Sequence, residues 1–294
     1  MFNRLAIFGV GLIGGSFALA LKRARVVKKI VGFGPERESL QDALALGIVD
    51  EIGGVGESAA GSVANSDLIL IAAPVAQTGP ILRSIAPHLA SSTIVTDTGS
   101  TKCDVIAAAR ATLGDKLAQF VPGHPIAGRE VHGPKAALAD LFDRKRVVLT
   151  PLPENSIDDV AAVRRAWEAC GGRVDTLSPF QHDDVFATVS HLPHLLSYAL
   201  VAQIASAEDA ELKFAYAGAG FRDFTRIAAS SPEMWRDIAM GNRDALLDDL
   251  DAYRARLDAL RAWIAAGDRD AIEAMFETAS AARGDWERQR QEAP

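Results

Sequence analysis

Apolar and polar positions alternate along the first half of the chain in short blocks. Residues 4–8, 29–33, 67–72 and 93–96 are brief apolar runs, rich in β-branched side chains, that read as buried strands. Between them, 13–23, 37–46 and 100–113 space their apolar residues as helices with one buried face do. Ser100 or Thr101 is placed to cap the last of these. Two shorter strands are predicted at 119–121 and 147–150, then a helix over 157–170 and a final strand at 173–177. Strands alternating with helices at this spacing imply βαβ units, hence a parallel sheet with helices on both faces. The pattern changes at Ser178-Pro179. Beyond it the strand signal stops, and 182–205, 208–217, 233–241, 243–266 and 269–288 all read as helices. Gly218, Gly220, Ser230-Ser231-Pro232 and Gly267-Asp268 mark the breaks. Two domains are therefore expected, an α/β domain over 1–177 and an all-α domain over 178–294.

Composition narrows the function classes. The chain has 294 residues, 49% hydrophobic and 23% charged, which is ordinary globular usage rather than that of a disordered chain. Lys and Arg number 31 against 38 Asp and Glu, a net charge of −7. That leaves no basic excess for a nucleic-acid backbone, and no nucleic-acid partner is expected. An anionic ligand would need cations gathered locally. Cys103 and Cys170 are too few and too far apart for a disulfide framework or a CxxC site, which points to a reducing, cytoplasmic setting. Residues 5–21 are uncharged and mimic an export signal ending at Ala18-Leu19-Ala20. However, Gly9, Gly11, Gly14 and Gly15 would weaken a helix there. No other uncharged run reaches the ~20 residues of a membrane helix, so no membrane partner is expected.

Those glycines form GxGxxG, placed between a predicted strand and a predicted helix. In that setting Gly9 permits the tight turn, Gly11 lets a pyrophosphate approach the backbone, and Gly14 lets helix and sheet pack closely. The pyrophosphate would sit on the free amides of the helix start, at Leu12 and Ile13. The fold class expected is thus α/β, a Rossmann-type doubly wound parallel sheet followed by an all-α C-terminal domain. Ala73-Pro74, where the third strand ends, is expected to line the same dinucleotide site. The second strand ends at Gly34, where an acid would bind the ribose hydroxyls of NAD. Gly34 offers no charge against a 2′-phosphate, and Arg37 follows, either to pair with that phosphate or as a solvated helix start. Glu36 could still bind a ribose. The cofactor is therefore read as NADP or NAD, with NADP accepted.

Two more segments follow predicted strands at the sheet's ligand-binding edge, Asp97-Thr98-Gly99-Ser100-Thr101-Lys102 and Gly123-His124-Pro125-Ile126-Ala127-Gly128. With GVGLIGGS at 9–16, GHPIAGRE at 123–130, SHLPH at 190–194 and GFRDFTRIAASSPEMW at 220–235, the sequence resembles the prephenate and arogenate (cyclohexadienyl) dehydrogenases of tyrosine biosynthesis. These segments spread in order over most of the chain. Gly34 is the departure, since NAD-dependent members carry Asp there. The appendages of some relatives, an N-terminal chorismate mutase and a C-terminal regulatory domain, are not expected here.

The resemblance implies an oxidative decarboxylation. A hydride passes from the hydroxyl-bearing ring carbon to NAD(P), and the ring carboxylate leaves as CO2. Aromatisation drives the reaction without a metal, and the substrate is a small dianion. His124 would accept the hydroxyl proton, its neutral imidazole being suited to this near pH 7. Ser100 would hydrogen-bond the same hydroxyl or orient His124, or serve as a helix cap. His194 would reach the substrate side chain, and Arg226 would fork onto a carboxylate. Trp235 either lines the site or packs in the core. Asp223 could orient an arginine or pair with Arg129, with Glu130 joining. Lys102 reads as a helix-face charge. His182 and His191 read as structural or supporting, and Asp183 and Asp184 as caps of their own helix. Trp167, Trp263 and Trp286 read as packing residues. The helical domain has more apolar surface than a small bundle needs, so a homodimer through it is expected. Two rival readings share parts of this pattern. One is a 3-hydroxyacid dehydrogenase, which would want a lysine base on the helical domain, where Lys213 is the one available. The other is a non-catalytic NAD(P) sensor, which would have no use for His124, Ser100 and Arg226 together.

Overall fold

The computed structural model describes residues 1–54 and 62–292. Its first six strands are β1 (Phe2–Phe8), β2 (Val27–Phe33), β3 (Glu51–Gly54), β4 (Leu68–Ile71), β5 (Ile94–Asp97) and β6 (Phe120–Val121). They form one parallel sheet in the order β3-β2-β1-β4-β5-β6. Successive residues of a strand face opposite sides. Leu5 and Ile7 accordingly join one core and Ala6 and Phe8 the other, so the central strand β1 is buried on both faces. Helices α1 (Leu12–Arg23), α2 (Arg37–Ala45), α3 (Val75–Ile85), α4 (Cys103–Leu113) and α5 (Ile157–Ala169) accompany these strands. The strand order reverses between β1 and β4, so the loops leaving those two strands lie side by side at the sheet's carboxyl edge.

Several sequence expectations need correction. Of the later strands, 119–121 joins the parallel sheet as β6, but those at 147–150 and 173–177 do not. Pro122 ends β6, and the chain restarts as β7 (Gly123–Pro125), which runs antiparallel to β8 (Arg146–Leu149); β9 (Arg173–Thr176) completes this second sheet. Helix α3 was not anticipated, because Gly79-Pro80 inside it reads as a break. Helix α4 starts at Cys103 rather than Ser100, and neither Ser100 nor Thr101 caps it.

The remaining helices are α6 (Pro179–Phe186), α7 (Leu192–Ala205), α8 (Ala210–Ala215), α9 (Ala219–Thr225), α10 (Pro232–Gly241), α11 (Arg243–Ala266) and α12 (Arg269–Glu292). A π-turn over Ala187–His191 joins α6 to α7. The stretch Pro179–Ala205 is long and apolar enough to cross a membrane, with mean hydropathy 1.4. It is not an uncharged run, because Asp183 and Asp184 lie within it. Ser178 caps α6 in a capping box with Gln181, so Asp183 and Asp184 do not cap their own helix. By contacts the chain divides into compact units at 1–245 and 246–294. The break in secondary-structure pattern at 177/178 is therefore not a break in compactness, since α6 and α10 pack within the first unit. Within the second unit Trp286 is not buried packing; it lies half-exposed between Arg283 and Arg290 at 4.6 and 4.9 Å from their guanidinium carbons.

Candidate active site

The loops leaving β1 and β4 meet at Gly9. Its φ is +94°, and a Cβ there would lie 2.4 Å from the Ala72 carbonyl oxygen. A Cβ on Gly14 would lie 2.1 Å from the Gly9 carbonyl oxygen. Neither position tolerates a side chain. Gly11, by contrast, caps α1 and faces open space. Leu12 and Ile13 form the helix's first turn, where amides have no intrahelical acceptor. A dinucleotide pyrophosphate fits this cradle, with the partly accessible Ala73 and exposed Pro74 at the start of α3 beside it. Gly34 has room for a side chain, Leu40 being 3.6 Å away. Arg37 is exposed at the start of α2. A cleft between α2 and residues 132–135 is lined by Glu36, Glu38, Ser39, Asp42, His132 and Lys135. Lys135 pairs with Asp42 there at 2.8 Å.

At the end of β5, Asp97 is fully buried. Its carboxylate accepts from the amides of Gly99 (2.8 Å) and Gly123 (3.0 Å) and pairs with Lys102. Lys102 Nζ also donates to the Gly123 carbonyl at 2.7 Å. Lys102 is thus no helix-face charge: it is wholly buried and ties the β5 loop to the start of β7. Removing one member of such a pair leaves an uncompensated buried charge, which costs about 3–5 kcal/mol.

His124 sits in β7. Its Nδ1 lies 2.9 Å from His182 Nε2, and His182 Nδ1 lies 2.7 Å from Asp183 Oδ1. Phe186 packs edge-on against the His124 ring, centroids 4.9 Å apart. Burial holds the His124 pKa well below the usual histidine value, and His182, Lys102 and His191 push it the same way. Asp183 reaches across to α4, accepting from the Lys102 and Cys103 amides at 2.8 Å each. It therefore caps α4 from α6, and although its burial opposes ionisation, His182 and these amides hold its pKa below the usual range. Asn242 donates to the Asp183 carbonyl at 2.7 Å and lies 3.1 Å from His191 Nδ1. Neither Asn242 nor the supporting role of Lys102 was evident from sequence, since the residues that need them lie 59 and 21 positions away.

Ser100 is half-buried in the β5–α4 loop, and His124 Nδ1 is engaged by His182 rather than by Ser100. His194 Nδ1 lies 2.9 Å from the Ser190 carbonyl, and its ring stacks on Trp235, centroids 3.5 Å apart. Trp235 is buried, with its indole N–H unpartnered among the described residues. Arg226 opens the turn after α9, is mostly exposed and pairs with Glu130. Asp223 pairs with the neighbouring Arg222 at 3.3 Å, not with Arg129. Among the described residues no group of three or more His, Cys, Asp and Glu is placed to hold a metal ion.

The chain is similar to known proteins over most of its length. The family model for the nucleotide-binding domain of prephenate dehydrogenase matches residues 17–176, and that for its dimerization domain matches 178–278. The cyclohexadienyl dehydrogenase of Zymomonas mobilis is 38% identical over 96% of both chains. The prephenate dehydrogenase of Bacillus subtilis is 36% identical over 95% of this chain and 75% of its own. Among solved structures, prephenate dehydrogenase from A. aeolicus, in complex with hydroxyphenyl propionate and NAD+, superposes with a TM-score of 0.90. It is 34% identical, covering 97% of this chain and 98% of that one.

Proposed function

The chain belongs to the prephenate dehydrogenase family, and from that premise we propose how its residues divide the work. The protein is an NAD(P)-dependent oxidoreductase that oxidatively decarboxylates prephenate in tyrosine biosynthesis. When bound, the nicotinamide takes up the hydride from the hydroxyl-bearing ring carbon. His124 accepts the hydroxyl proton as that carbon becomes a carbonyl. Loss of the ring carboxylate as CO2 then leaves the bonding electrons in the ring, which aromatises to a phenolate. His124 returns the proton to the phenolate oxygen, so the base ends as it began. Ser100 donates to the same oxygen. Arg226 exchanges Glu130 for a substrate carboxylate, and the guanidinium fork fixes the ring's orientation. His194, held by the Ser190 carbonyl and Trp235, meets the side-chain end with Asp223 at the rim.

Gly9, Gly11, Leu12, Ile13, Gly14, Ala73 and Pro74 hold the dinucleotide, and Gly34 and Arg37 face its adenosine ribose. Residues 1–177 supply the dinucleotide site, while 178–294 supply substrate contacts and the homodimer interface, in a cytoplasmic enzyme. The observation that carries this reading is the half-buried His124 at the sheet's carboxyl edge, its pKa held well below the usual histidine value, in a chain whose GxGxxG cradle admits a pyrophosphate. The 3-hydroxyacid reading loses its base, because Lys213 is engaged with Asp209 at 2.6 Å on the short helix α8. The test is reduced-cofactor absorbance with purified protein, each cofactor offered with prephenate, arogenate or 3-hydroxyisobutyrate. Turnover is expected with a cyclohexadienyl acid; turnover with 3-hydroxyisobutyrate alone would overturn the assignment.

A further inference from the structure

We propose that His182 is a positioning residue that fixes the proton of His124 on Nδ1, leaving Nε2 bare as the base. The inference rests on the reading of His124 as proton acceptor and follows from hydrogen-bond accounting. Asp183 is a carboxylate, with two backbone amides and His182 on its oxygens, so it can only accept. His182 Nδ1 must therefore carry the hydrogen that lies between them. His182 is fully buried and neutral, so with Nδ1 protonated its Nε2 holds a lone pair and must accept. The donor facing that lone pair at 2.9 Å is His124 Nδ1. A neutral His124 then has no proton on Nε2. An isolated imidazole carries its proton on either nitrogen; here an acceptor-only carboxylate at one end dictates the answer two rings away.

The carboxylate itself is immobilised from a third direction. The first amides of α4 bind both its oxygens, and Asn242 holds its backbone carbonyl. Phe186 packs against both histidine rings, centroids 4.9 Å from His124 and 4.6 Å from His182, which limits ring flipping. When His124 takes a proton, the imidazolium keeps its Nδ1 hydrogen bond, and Asp183 offsets the new charge through the polarised His182 ring. Sequence alone hides this chain, because His182 lies 58 residues from His124 and outside the motif that contains it.

Two amide substitutions separate the proposed role from a structural one. The glutamine amide reaches the place of Nε2 and can accept from His124, whereas the asparagine amide reaches the place of Nδ1 and can only satisfy Asp183. His182→Gln is expected to keep kcat within about tenfold of wild type. His182→Asn should lower it about 10–10³-fold, the range lost when a general base is misplaced, with an unchanged KM for prephenate. The reverse order, with asparagine active and glutamine not, would overturn the proposal, because His182 would then serve Asp183 and its cap. The second measurement needs no variant. Nitrogen shifts of isotope-labelled histidines in the wild-type protein at neutral pH should show His124 protonated on Nδ1, and protonation on Nε2 would overturn the proposal. That spectrum is recorded without substrate, so its failure is distinct from failure of the activity assay, which bears on His124 as base.

Discussion

Three of the proposed roles can each be tested by a single substitution. His124→Asn removes the base, and kcat should fall by about 10²–10⁴-fold with little change in KM; a normal kcat with raised KM would assign His124 to binding. Because burial depresses the His124 pKa, the base stays neutral into mild acid. The acid limb of kcat/KM should therefore lie below pH 6.5, measured as a pH–rate profile. Arg226→Ala should raise the substrate KM by roughly ten- to a hundredfold, using about 1.5–3 kcal/mol for a charged hydrogen bond, and leave the cofactor KM alone. Lysine should restore only part, since it lacks the fork. The third test concerns the cofactor. Glu36, Glu38 and Asp42 line the cleft beside α2, where Lys135 is paired with Asp42, and Arg37 is the exposed cation at the start of that helix that we assign to a 2′-phosphate. We expect NADP to be used as well as NAD, Arg37→Ala to weaken NADP alone, and Gly34→Asp to favour NAD, there being room for its side chain. A strong NAD preference unchanged by Arg37→Ala in kcat/KM would show that Glu36 governs this end.

At the scale of elements, local pattern reveals what local forces fix. Strands β1, β2, β4, β5 and β6 and helices α1, α2 and α5 were legible because each buries an apolar face that repeats with its own period, and the glycine turn because no other residue fits it, whereas the half-exposed edge strand β3 was not. The positions of His124, His194 and Arg226 were legible through the motifs that contain them. The second sheet was not, since a lone proline redirects the chain after β6, and neither was the start of α4, whose cap is supplied from α6. The buried histidines on β7, α6 and the π-turn have a thermodynamic consequence. Burial lowers the pKa of His191 to about 4, and those of His124 and His182 also fall. Above pH 6.5 these rings are neutral whether the chain is folded or not. Below it, the unfolded chain takes up protons that the folded one refuses. Stability should therefore drop as the pH falls below 6.5, by about 3 kcal/mol for His191 alone by pH 4. Urea unfolding at pH 7 and pH 4.5 measures this, and a flat pH dependence would contradict it.

For the whole molecule, the question is what covers the helices. Leu212, Phe214, Phe224 and Met240 are exposed, and α7 is apolar on nearly all sides yet only partly buried. The family model matched over these residues is that of a dimerization domain. Light scattering at micromolar concentration should give twice the 31.2 kDa chain mass, and a mass of 31.2 kDa would count against the dimer.

Helix α4 borrows its cap from a carboxylate 80 residues downstream of Cys103. The cradle residues 9–14 and 72–74 all precede α4 in the chain, whereas the first amides of α4 find their side-chain acceptor only once Asp183 has emerged. Contacts between such distant positions form slowly, because the intervening chain must first be closed into a loop. On refolding from denaturant, dinucleotide binding should consequently return before turnover, with the interval set by how soon α6 docks.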